Sequence, residues 1–186
     1  WDWEPMLWVI AILTMLVGSI VAITQTDIKR MLAYSSIAQA GFILIGVVAV
    51  ARQGLASSLF YLIAYAFTTI GAFAVVSMVR DASGEATHLS KWAGLGKKSP
   101  RVAAVFSLFM LALAGIPLTS GFIGKFGVFS AAIESGATWL VIVGVVASVI
   151  AAFFYVRVIV LMYFSDPTPD TASVVVPSAF TTIALA

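Results

Sequence analysis

The sequence predicts an all-α membrane protein on three observations: very little charge, apolar runs of bilayer length, and basic residues gathered in loops on one side. Of the 186 residues, 62% are apolar and 10% charged, where a soluble domain carries about 25% charged residues. So few polar side chains cannot cover a water-facing surface, and much of the exterior must face lipid. A formal charge of +2 is too small to draw nucleic acid, and the basic residues form no stripe. Having no cysteine, the chain offers no disulfides, thiolate metal sites or iron–sulfur ligands. The lone His88 sits in a polar loop without a partner at ligand spacing.

Taken in order, the predicted spans are 6–24, 31–51, 57–79, 102–133 and 139–164. Each meets the length of about 20 residues that separates a membrane helix from a buried core helix. The second is entered through the polar corner 25–30, and the third and fourth are separated by the polar loop 80–101. Strands are not expected, because none of these runs alternates as a barrel strand would. After the proline-containing loop 165–173, a truncated sixth span begins near Val174. The chain opens Trp1-Asp2-Trp3-Glu4 without methionine and stops inside that apolar run. The expectation is one transmembrane domain over 1–186 that is a fragment of a longer protein.

Alternating the spans puts Lys29, Arg30, Arg80, Lys91, Lys97, Lys98 and Arg101 on one side, with Arg52 alone on the other. Seven basic residues against one make the first side, and the loop 80–101, cytoplasmic by the positive-inside rule. Trp8, Trp92 and Trp139 lie near span ends, where their amphipathic rings favour the interface.

The fourth run is longer than a bilayer requires and reads Ala114-Gly115-Ile116-Pro117-Leu118-Thr119-Ser120-Gly121-Phe122-Ile123-Gly124-Lys125-Phe126. Pro117 lacks an amide hydrogen, and Gly115, Gly121 and Gly124 add backbone freedom. Together they predict a discontinuous helix broken at Gly115-Pro117, with Thr119 and Ser120 placed to satisfy freed backbone groups. Lys125 follows about eight residues past the proline, roughly 12 Å along a helix. An ionisable side chain at membrane depth costs several kcal/mol and is a functional candidate by default. Snorkelling to a surface is the competing reading.

Other polar side chains inside spans are fewer. Lys29 and Arg30 stand at the entrance of the second span, where anchoring explains them. Tyr34, Ser35 and Gln39 lie deeper, and Ser35 and Gln39 share a helix face. They could line a hydrated path or tie helices together. Tyr61, Tyr65, Thr68 and Thr69 form a similar seam in the third span. Arg157, in the fifth, reads as structural. No acidic residue lies inside a span, so a proton relay wholly within the chain lacks a carboxylate. Walker, dinucleotide and HExxH motifs are missing, and one loop histidine cannot complete a Ser–His–Asp set.

The segment Thr26-Asp27-Ile28-Lys29-Arg30-Met31-Leu32-Ala33-Tyr34-Ser35-Ser36 through Gly41 closely resembles a signature of the antiporter-like membrane subunits of respiratory complex I. The stretch from Ala114 to Phe126 and the loop Trp92–Pro100 resemble the same proteins, most of all the branch called subunit N. One subunit of the multisubunit sodium/proton antiporters carries a similar Gly-Lys motif. The resemblance spans residues 25–164 and implies an inverted-repeat antiporter-like fold, of which this chain is a C-terminal part. It implies proton translocation coupled to quinone reduction, with Lys125 as the proton-transfer residue. Lys29, Tyr34, Ser35, Gln39, Tyr65, Thr68 and Thr119 would be candidate lining. Many subunit N sequences carry histidine where Gln39 stands, and a glutamine cannot hold the proton as a charged intermediate. The resemblance implies no cofactor in this chain, with FMN, iron–sulfur clusters and quinone in other subunits. Partners would be neighbouring membrane-arm subunits and the lipid bilayer. The location implied is a bacterial plasma membrane, crossed several times.

Overall fold

In the computed structural model, residues 4–49, 52–81 and 84–175 are described. Among the described residues, four uninterrupted helices are long and apolar enough to cross a membrane: α1 (Glu4–Thr24), α2 (Ile28–Val48), α3 (Arg52–Met78) and α7 (Thr138–Phe164). The expected fourth span is two helices, α5 (Pro100–Ala114) and α6 (Ser120–Glu134). Each has 15 residues, about 22 Å by helical rise, so neither half crosses a bilayer of about 30 Å alone. The break falls at the predicted glycine and proline.

The second span begins earlier than expected, because Asp27 caps α2 by accepting the Arg30 amide at 3.0 Å. α2 is the central helix. Its buried residues include Met31, Leu32, Ser35, Gln39, Phe42 and Ile45, and it packs against α1, α3, α6 and α7. Small residues let it approach its neighbours, as membrane interfaces require. At Gly18 of α1, a Cβ would stand 2.6 Å from the Ala38 amide nitrogen. Outward side chains such as Val17, Phe67 and Ile70 are exposed, as lipid-facing positions would be.

The loop 80–101 is more ordered than a polar loop. It holds the short strands β1 (Val79–Asp81) and β2 (Gly84–Glu85), a 3₁₀ turn over Leu89–Trp92, and α4 (Leu95–Lys98). A third strand, β3 (Ser173–Val174), pairs antiparallel with β1. These short strands lie beyond the membrane helices, and the apolar runs themselves are helical as expected. Val174 ends that strand, and the expected sixth span falls on residues 176–186, which lie outside the described residues.

Trp92 is a correction to the expected interface anchor. It is fully buried, donates its indole N–H to the Ala86 carbonyl at 2.8 Å, and lies 4.8 Å from the Phe106 ring. A core this size gives a tryptophan more contact than an interface does. Trp139, by contrast, is exposed at the start of α7.

Candidate functional site

Lys125 stands in the second turn of α6 and is 4% exposed. Helical side chains lean toward their own N-terminus, so its stem runs back to the break. There the ammonium donates to the Ala114 carbonyl at 3.1 Å, the Leu113 carbonyl at 3.4 Å and the Ser148 hydroxyl at 3.0 Å. The Phe42 ring lies 4.5 Å away for a cation–π contact. Snorkelling to a surface is not what this side chain does.

The break makes those acceptors. A helix leaves its last four carbonyls without intrahelical partners. At the end of α5, the Gly115 and Ile116 amides return to Leu111 and Ala112 at 3.1 Å, a closure that needs the left-handed φ of 79° at Gly115. Leu113 and Ala114 are left over, and they face Lys125. The negative end of the α5 dipole adds to the attraction. Pro117 and Leu118 then form a tight turn closed by the Thr119 amide on the Ile116 carbonyl at 3.2 Å. Leu118 takes the positive-φ place at 76°, normally a glycine position.

Of the glycines expected to loosen this helix, only Gly115 has positive φ. Gly121 and Gly124 are helical and serve contact instead. A Cβ on Gly121 would overlap the Ala112 carbonyl oxygen, and one on Gly124 would come within 2.7 Å of the Tyr61 ring.

Gln39 is 1% exposed beside the same break. Its amide nitrogen donates to the Leu113 carbonyl at 3.0 Å and approaches the Tyr155 hydroxyl at 3.4 Å, while its oxygen accepts from Tyr61. Because a carbonyl only accepts, the NH₂ must face α5. Gln39, Tyr61 and Tyr155 thus form a closed polar knot that meets Lys125 through one shared carbonyl.

Of the other candidates, Ser35 and Tyr65 adjoin this knot and the rest lie apart. Lys29 is ion-paired with Glu85 at the far end of α2. Thr119 caps α6, accepting the Phe122 amide at 3.3 Å. Ser35 and Thr68 bond back to Leu32 and Ala64 of their own helices at 2.7 Å, and the Ser35 hydroxyl also bonds to Tyr155. Tyr34 is half-buried against the apolar core, and half-buried Tyr65 stands beside Tyr61 and Tyr155. Arg157 is exposed and donates to the Ile23 carbonyl near the end of α1 at 3.3 Å. Sequence reasoning does not single out Ser148 or Tyr155. They are seven residues apart, two turns along one face of α7, and that spacing in an otherwise apolar helix is the available signal.

Long apolar helices around a discontinuous helix, with a lysine on the carbonyls freed at its break, define a multi-pass membrane protein with a buried charge at a helix break. Residues 1–151 match the family model described as NADH:quinone oxidoreductase/Mrp antiporter, TM, and the chain belongs to that family. It is 66% identical over its whole length to NADH-quinone oxidoreductase subunit N of Rhodococcus opacus, and 67% identical to subunit N 3 of Streptomyces griseus. It spans about a third of these relatives, 34% of each. Among solved structures, it resembles a chain of respiratory complex I from Thermus thermophilus at a TM-score of 0.83 and 29% identity, covering 97% of this chain and 40% of that one. It likewise resembles a chain of the Mrp complex from Dietzia sp. at 0.84 and 28%, covering 90% of this chain and 31% of that one.

Proposed function

We propose that this chain is part of a proton-translocating, non-redox membrane subunit of NADH–quinone oxidoreductase, with Lys125 as its proton-exchanging group. The observation that carries the proposal is a buried lysine held by carbonyls and a hydroxyl. Among the described residues its partners are neutral carbonyls and a hydroxyl, with no carboxylate paired to the ammonium. Quinone reduction in other subunits, which would also hold the FMN and iron–sulfur clusters, would drive the exchange. The end bearing Lys29, Lys91, Lys97 and Lys98 would face the cytoplasm of a bacterial plasma membrane, and other membrane-arm subunits would flank the helices.

Two other readings have support. The likeness to the Mrp complex chain favours a sodium/proton antiporter subunit, for which vesicles without any NADH-oxidising arm should show a sodium-dependent pH gradient. A lysine whose three N–H groups all find protein acceptors also fits a staple that merely closes the helix break. Replacing Lys125 with methionine in the complete complex separates the readings. Proton pumping should fall at least tenfold while the amount of assembled complex stays unchanged. Full pumping by the assembled variant refutes the translocation reading, and loss of assembly alone supports the staple.

A further inference from the structure

We infer that the Ser148 hydroxyl is the port through which Lys125 releases its proton, a catalytic role on α7 that rests on the translocation reading above. The inference comes from asking what each neighbour of the ammonium can do with a proton. The Leu113 and Ala114 carbonyls can only accept hydrogen bonds, and the Phe42 ring has no exchangeable hydrogen. The polar knot of Gln39, Tyr61 and Tyr155 meets Lys125 only at the Leu113 carbonyl, which accepts from both sides. A carbonyl held that way has no proton to pass on, so the shared atom interrupts the chain. Ser148 is different, because a hydroxyl both accepts and donates and can rotate between the two.

Position agrees with chemistry. Leu113, Ala114, Gln39, Tyr61 and Tyr155 are buried, whereas Ser148 is half-buried. On α7 it stands at the margin of the packed face, with Ala147 and Ala151 buried and Val145 and Val149 exposed. Its Oγ therefore connects the interior, 3.0 Å from the lysine nitrogen, with the outer side of the helix.

The step balances as a relay. The Lys125 N–H bond breaks as an O–H bond forms on Ser148. The original Ser148 O–H breaks at the same time, delivering its proton to a water on the outer side. Lys125 becomes a neutral amine, Ser148 remains a neutral hydroxyl, and one proton has moved outward. Ser148 serves release alone, and net translocation requires the neutral amine to be reloaded from the opposite side of the membrane.

The test uses the intact complex, with pumping measured in membrane vesicles and assembly measured separately. Ser148→Ala, which removes little volume, should lower pumping about tenfold without reducing assembly. Ser148→Thr restores the hydroxyl and should return pumping to within about twofold of wild type. Equal losses in both variants, or full pumping by assembled Ser148→Ala, overturn the relay. Lys125→Met is run alongside: if it pumps fully, the translocation reading itself fails, whereas low pumping there with full pumping in Ser148→Ala sinks only the port. Should Ser148→Ala not assemble, Ser148→Cys places a single thiol in this otherwise cysteine-free segment. A small water-soluble methanethiosulfonate should label it, because the thiolate forms readily only in contact with water. No labelling at position 148 overturns the port.

Discussion

Substituting Gly115 with alanine tests the geometry of the lysine seat, because two distinct costs coincide there. The first is conformational: at φ 79° an L side chain costs about 1–2 kcal/mol. The second is contact, since the new Cβ would lie 2.9 Å from Lys125 Cδ, 3.3 Å from Nζ and 3.4 Å from Cε. Ordinary carbon contacts need about 3.5–4 Å, so the lysine stem must move by roughly an ångström. Such a movement breaks at least one bond from the ammonium, at about 1.5–3 kcal/mol for a charged group. The combined cost is about 2.5–5 kcal/mol, enough to lower pumping at least tenfold. Gly136 supplies the control, with φ 86° and nothing within 4 Å of where a Cβ would stand. Gly136→Ala should carry the conformational cost alone, seen as a small fall in thermal stability with pumping intact. The assay is proton pumping in vesicles alongside the thermal midpoint of the purified complex. Identical behaviour of the two variants would refute the claim that Gly115 is kept free for the lysine.

Further outcomes follow from the polar knot and the α2 cap. Gln39→Leu leaves the buried Tyr61 hydroxyl without its acceptor and should cost about 1–3 kcal/mol, read as a lower thermal midpoint. Tyr61→Phe should cost less, since it strands only one amide oxygen, and the reverse order would contradict the assigned amide orientation. Burial raises the Asp27 carboxyl, but the Arg30 and Lys29 amides, Thr87 and the Arg30 charge outweigh it and leave the group below the usual carboxylate range. Its capping contribution is thus present above about pH 4 and fades as pH falls through the lowered folded value. Asp27→Ala should cost about 1 kcal/mol at neutral pH, and the gap to wild type in thermal midpoint should close on acidification; a constant gap would oppose this.

Much of the fold was legible in the sequence because bilayer length is a blunt requirement. Runs such as 6–24 and 139–164 exceed it without periodicity having to decide anything. The break was legible because Pro117 cannot join an unbroken ladder, and Lys125 because charge in a span is rare. Other parts were hidden for equally physical reasons. Sequence shows that Gly121 is small but not whether it serves conformation or contact. Lys29 finds Glu85 56 positions away, a distance no local pattern encodes. Trp92 looked like an anchor because segment 84–98 has too little regular structure to announce a core of its own. A lone serine in an apolar helix usually bonds its own backbone, so Ser148 drew no notice.

The ordered segment between α3 and α5 has a mechanical consequence. The Ile28 amide donates to the Thr87 carbonyl at 2.7 Å, the Leu89 amide to Thr26 at 2.8 Å, and the Gly94 amide to Leu161 at 3.2 Å. Trp92 packs on Phe106 of α5, and Lys98 donates to the Thr171 carbonyl at 2.7 Å. These ties act as a collar into which α2, α5 and α7 are set like posts. None of them reaches α6, which is held instead by its packing on α2 and α3. The collared posts carry the acceptors Leu113, Ala114 and Ser148, while α6 carries the single donor. Donor and acceptors therefore stand on separately anchored parts of the bundle, and a shift of α6 against its neighbours changes every distance to the ammonium together.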